Sequence, residues 1–226
     1  MPNRLQLETA RLRDRVERGD PYWPAQLAVA TAIALNFVLS ERLTVGPTWL
    51  LPSVEGFLLL ALVVIAPARA TAHSHRTRRF ALAVIGFVSL ANIVSLGLLV
   101  HYLINGGQAD GHKLILSGTV LWATNVLLFA VWYWEMDRGG PVARYLDPHS
   151  LRDFQFPQME NPQIAPADWR PGFVDYLYTS LTNATAFSPT DTMPLTQTAK
   201  IVMGLQSISA LLTVGLVVAR AVNILG

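Results

Sequence analysis

The stretch SLTNATAFSPTDTMPLT, Ser180 to Thr196, holds seven hydroxyl side chains and one carboxylate, Asp191, with no glycine. Hydroxyl and carboxylate oxygens can replace part of the water shell of a hard cation, which is how pores select ions. Other chemistries lack their residues. There are no cysteines, so thiol catalysis, disulfides and zinc–thiolate sites are excluded. His73 and His75 stand two apart among arginines, a spacing that does not put two ligands on one helical face. His101, His112 and His149 are scattered, and no Gly-x-Ser-x-Gly, His-Glu-x-x-His or phosphate-loop pattern occurs. The expectation is no enzyme, no cofactor and no bound metal.

The elements that must position this stretch are apolar. Of 226 residues, 52% are hydrophobic and 14% charged, against about 25% charged in a soluble domain. Five apolar runs approach the ~20 residues needed to cross a bilayer: 22–40, 49–66, 80–104, 114–134 and 198–225. The sequence therefore predicts an all-α membrane protein with about five transmembrane helices. A short re-entrant helix precedes the last span. Residues 1–21 read as an amphipathic cytoplasmic helix, with Leu5, Leu12 and Val16 on one face. Spans 1–3 fill 22–112. The unit 113–226 holds span 4, a polar linker over 137–171, the re-entrant helix over 172–185, a filter-like loop over 186–196 and span 5.

Fifteen arginines and two lysines give the basic balance. They lie in the loops, which fits membrane topology and not nucleic-acid binding. With five crossings, thirteen arginines of the N-terminus, the 66–79 loop and the linker share one side. Arg42 and Lys113 lie in the loops of the other. The positive-inside rule then puts the N-terminus in the cytoplasm and the C-terminus outside a bacterial inner membrane. The first run is short and Ala-rich, and the parity changes if it alone fails to cross.

The segment 172–187 begins aromatic, ends polar and is too short to span. Such a segment is re-entrant or interfacial. A short helix ending inside the protein presents the partial negative charge of its C-terminus, which favours a cation. A surface helix and Ser/Thr-rich turn that cap the last span are the alternative.

The last quarter of the chain resembles the pore-loop half of two-span potassium channels. Asp191, Thr192, Met193 and Pro194 match the Asp-x-x-Pro after the filter, and Leu195 and Thr196 continue it. The resemblance implies a homotetramer around a central pore, with filter-like residues Thr182, Thr185, Ala186, Phe187, Ser188, Pro189, Thr190 and Asp191. Gln206 and Ser209 would line the inner helix. Potassium filters use glycines so that carbonyls can point at the ion. Here Pro189 fixes its own φ and restricts Ser188. Side-chain hydroxyls and Asp191 would then favour monovalent cations weakly. The charge bias places the loop on the cytoplasmic side, as in glutamate-receptor channels. The overall layout also resembles a family of uncharacterised bacterial integral-membrane proteins. Tyr176-Leu177-Tyr178 and Thr185 to Asp191 stand where that family has Tyr-Leu-Tyr-Phe-x-Phe-Thr and Thr-Phe-Gln-x-Ser-Asp motifs.

Within the spans, Asn36, Asn92, Asn125 and Gln206 read as amides bonding between helices. Glu55 reads as structural or interfacial, within reach of Arg42, with a functional role for an ionisable group at membrane depth as the alternative. Trp132, Tyr133 and Trp134 read as an interfacial belt. The expected function is a homo-oligomeric pore-loop ion channel whose partners are the bilayer, further copies of itself and monovalent ions. A non-conducting scaffold or accessory subunit, or a small transporter or membrane enzyme, are the alternatives.

Overall fold

The computed structural model describes residues 21–37, 39, 47, 49–65, 75–105, 111–147, 150–161, 163–166, 169–185 and 191–225. The predicted N-terminal helix lies outside them. The described helices are α1 Trp23–Asn36, α2 Leu50–Ile65, α3 His75–Ile104, α4 Gly111–Met136, α5 Pro141–Leu146, α6 Pro157–Glu160, α7 Phe173–Thr185 and α8 Gln197–Leu225.

Among the described residues, three helical stretches are long and apolar enough to cross a membrane: Arg78–Ile104, His112–Gly139 and Gln197–Arg220. By length and composition the chain is a multi-pass membrane protein. The other two predicted spans form shorter helices. α1 has 14 residues and α2 has 16, about 21 and 24 Å at 1.5 Å per residue, against a hydrocarbon core of about 30 Å.

α4 is the central helix, packed against α1, α3, α7 and α8. α1 runs antiparallel to it. Tyr22, at the start of α1, meets Trp134 edge-on with ring centroids 5.1 Å apart. Leu35 and Leu39, at the other end, join Leu99, Leu114 and Leu121. Ala25, Ala28 and Ala32 are buried on the inward stripe of α1. Small side chains there let two helix backbones approach.

α7 also runs antiparallel to α4. Phe173 lies against Trp134, centroids 6.0 Å apart. Ser180 Oγ donates to the Val126 carbonyl at 2.7 Å. Trp122 Nε1 donates to the Ala184 carbonyl at 3.4 Å, so α7 ends near the middle of α4. The chain is back at the starting end by Met193, because Phe154 pairs with Pro194 and Gln155 with Met193 in an antiparallel ribbon, β1 (Phe154–Gln155) and β2 (Met193–Pro194). α8 then runs parallel to α7 and antiparallel to α4.

The described residues of the polar linker form short turns and helices. A 3-10 turn over Asp137–Gly139 ends α4. Arg138, Gly139 and Gly140 have φ of 53°, 79° and 104°, a left-handed run that turns the chain sharply. Two of the three are glycines, which reach this region without strain. Pro141 opens α5 at a position where its missing N–H is harmless.

Gly118 fixes the α4–α8 crossing. A Cβ there would stand 2.1 Å from Val217 Cγ2. Gly118→Ala should destabilise the protein by about 1–3 kcal/mol through overpacking, and Val217→Ala should restore part of the loss. Thermal unfolding in detergent measures both. Equal stability of Gly118→Ala and wild type would remove this contact from the account.

Candidate functional site: the hydroxyl-rich loop and its amide clamp

α7 is seated between α4 and α8 by side-chain amides and hydroxyls. Gln206 of α8 is fully buried. Its Oε1 accepts a short bond from the Tyr133 hydroxyl and a second from Asn183 Nδ2 at 2.8 Å. Its Nε2 donates to the Ser180 carbonyl at 3.0 Å and to Ser180 Oγ at 2.7 Å. All four hydrogen-bonding capacities of the amide are thereby used. Asn183 Nδ2 also lies 3.0 Å from the Met203 carbonyl, and Asn183 Oδ1 accepts from Ser207 Oγ at 3.0 Å. Next along α8, Asn125 Nδ2 donates to Ser209 Oγ at 2.7 Å.

A second set of bonds fixes the end of the bundle where α7 begins. Asp137 is fully buried. Its carboxylate accepts from the Tyr176 hydroxyl at 2.6 Å and from the Asp153 amide at 2.9 Å. The Asp153 carboxylate accepts from the Arg138 amide at 3.0 Å and from Thr196 Oγ1 at 2.6 Å. Its carbonyl accepts from the Leu195 amide at 2.8 Å. One aspartate thus ties the turn after α4 to the two residues that lead into α8. Arg144 packs over the Trp134 and Tyr176 rings and donates to the Trp134 carbonyl at 2.6 Å.

The expected site residues divide into three groups. Thr182 and Thr185 lie on α7, and their hydroxyls donate to the helix's own carbonyls, Thr182 to Tyr178 at 2.8 Å and Thr185 to Thr182 at 3.0 Å. Ala186, Phe187, Ser188, Pro189 and Thr190 lie outside the described residues. Asp191 is exposed. Thr192, just after it, is buried, its hydroxyl 3.4 Å from that of Thr179. Gln206 and Ser209 are turned toward α7 and α4 of the same chain.

The amides behave as helix-to-helix bonds, as expected. Asn92 Nδ2 donates to the Leu121 carbonyl at 3.4 Å, and Asn36 Nδ2 to Glu55 Oε2 at 2.9 Å. Glu55 is buried with Asn36 as its partner, a structural role of the kind expected, and Arg42 lies outside the described residues. The aromatic belt needs correction. Tyr133 and Trp134 are buried, and Trp132 donates to Ser89 Oγ at 3.0 Å. α4 is enclosed on several sides, so this end of it has little lipid-facing surface for a belt.

Sequence reasoning missed Tyr133, Ser180 and Asn183 as partners of Gln206. Ser180 and Asn183 stand three apart, hence on one face of α7, which was a usable signal. Among the described residues no group of three His, Asp or Glu gathers to hold a metal. No protein-family model, curated protein or solved structure matches the chain.

Asp175 caps α7 by accepting from the Gly172 amide at 2.8 Å. Burial raises its carboxyl above the ordinary aspartate range, and the Gly172 bond partly opposes this. The folded state therefore binds this proton more tightly than the unfolded state. Asp175's stabilising contribution is complete below the ordinary aspartate pKa of about 4 and is lost as pH rises through the raised value. Asp175→Asn should flatten that part of the Tm-versus-pH curve; an unchanged slope would contradict the assignment.

Gln206→Leu should cost about 1–3 kcal/mol, because Ser180 and Asn183 lose buried partners. Combined with Tyr133→Phe it should be non-additive by about 0.5–3 kcal/mol, read from a double-mutant cycle of thermal unfolding.

Proposed function

We propose that the chain is the protomer of a homo-oligomeric pore-loop membrane protein, with four copies around one axis, passing monovalent cations with weak selectivity. The observation that carries this reading is the course of the chain from Phe173 to Gln197. A 13-residue helix goes halfway along α4, and the chain comes back to the end it left before the last long helix begins. That path supports a re-entrant helix more than a surface cap. Buried polar backbone at membrane depth requires protein partners, and α7 has them on both sides.

Oligomerisation is supported by α8. Only 17% of its apolar stretch is buried against the rest of the chain, against 61% for α4. One loop per chain cannot enclose a pore, and cyclic symmetry is the usual solution. Gln206 and Ser209 are engaged inside the protomer, so the ion-facing role falls to 185–191, with Asp191 at the mouth.

Five crossings are supported by α1, which follows α4 from Trp134 to the Leu114 cluster. The buried Asn36–Glu55 bond makes α1 and α2 one hairpin. If both cross, or neither does, the parity is the same. The arginine bias then still places the N-terminus in the cytoplasm of a bacterial inner membrane, with the C-terminus outside.

A second reading, a non-conducting scaffold or accessory subunit, is favoured by the face that α8 leaves open. Ile201, Leu205, Ile208, Leu211 and Val218 are exposed there, an apolar surface suited to lipid or to a partner helix.

Purified protein in liposomes should pass K+ and Na+, and Asp191→Asn should lower the cation-to-anion permeability ratio. Absence of flux for K+, Na+ and Cl− would favour the scaffold. A particle with no axis near 185–191 would overturn the pore. A reporter fused to the C-terminus should be active outside the cytoplasm, and a cytoplasmic signal would reverse the topology.

A further inference from the structure

At the end of the bundle around Asp137 four arginines gather, and Glu135 attracts two of them, Arg78 and Arg144. Asp137 and Asp153 spend their oxygens on the Tyr176 and Thr196 hydroxyls and on two backbone amides. None of those four bonds goes to a guanidinium. Arg138 is attracted by Asp137 and repelled by Arg152 and Arg144. Arg138 Nε is shielded from solvent and has no acceptor.

Arg138 is also held in a conformation that other residues avoid. It is the one non-glycine residue with positive φ among the described residues. A Cβ in the left-handed region crowds the following carbonyl oxygen, so a non-glycine residue there is strained. Strain of this kind persists where the surroundings over-determine it, and it points to a function. Here it keeps the half-exposed Arg138 side chain beside the half-exposed Arg152.

The position decides the ligand. Asp153 N bonds Asp137 directly, so Arg152 lies within a residue or two of the end of α4, just beyond Trp134. Next to it Leu151 is 88% exposed, an apolar side chain with nothing of its own chain covering it. Basic pockets at the ends of membrane helices take phosphate headgroups, and guanidinium forks match phosphate oxygens.

We propose that Arg138 and Arg152 bind the phosphate of an anionic phospholipid, with Leu151 contacting its acyl region and Arg144 adding to the positive field. The site is independent of whether the protein conducts ions.

Native mass spectrometry of the detergent-solubilised protein tests this, with palmitoyl-oleoyl phosphatidylglycerol offered against phosphatidylcholine of the same chains. Wild type should retain phosphatidylglycerol preferentially. Arg138→Gly and Arg152→Gln should each lower that retention by about fivefold. Arg138→Gly is the informative change, because glycine adopts the left-handed backbone without strain and the fold is kept while the guanidinium is lost. Equal retention of the two lipids by wild type, or undiminished retention by both variants, overturns the proposal. Displacement of phosphatidylglycerol by millimolar inorganic phosphate would overturn it in favour of a free-phosphate site.

Discussion

A side-chain amide in an apolar bundle has few places to go, and the C-terminal half of this protein is organised by where one amide goes. Gln206 is fully buried on α8, and its four hydrogen-bonding capacities are satisfied by Tyr133, Ser180 and Asn183. Away from water an unsatisfied amide is expensive, so α7 must sit where Ser180 and Asn183 can reach it. The depth of α7 and the approach of α8 follow from that requirement. Gly118 permits the same approach a few turns further on, since anything larger would meet Val217.

The amide clamp alone would leave the start of α7 and the return of the chain loose. Asp137 and Asp153 settle both, acting on hydroxyls and backbone amides, which are short-range and directional. Tyr176 is held at its phenol and lies within ring-contact distance of Phe154 and Phe156. The two-residue ribbon between 154–155 and 193–194 is too short to be stable alone. It persists because Asp153 and Thr196 bracket it.

Helix positions were legible because apolar runs of this length are rare outside membranes. α3, α4 and α8 formed where hydropathy predicted them, and α7 formed within a residue of its expected start. The amides in the spans were legible as a class, since polar groups there need partners. Their partners were not, because Gln206–Ser180 and Asn125–Ser209 depend on helix rotation and depth. Tyr133 and Trp134 were misplaced for a related reason. An aromatic pair at the end of a span looks the same whether that face meets lipid or another helix, and α4 is central. The folding of 137–171 was hidden because its order comes from Asp137 and Asp153, two acids that look like ordinary loop charges.

The partners of α7 also impose an order of assembly. Ser180 and Asn183 find acceptors and donors at 203, 206 and 207, which a ribosome makes twenty or more residues later. Until α8 has been synthesised, the polar face of α7 has half its seat, against α4 alone. The short helix completes its hydrogen bonds only when the last helix arrives, so the C-terminal unit can close only after α8 has been made.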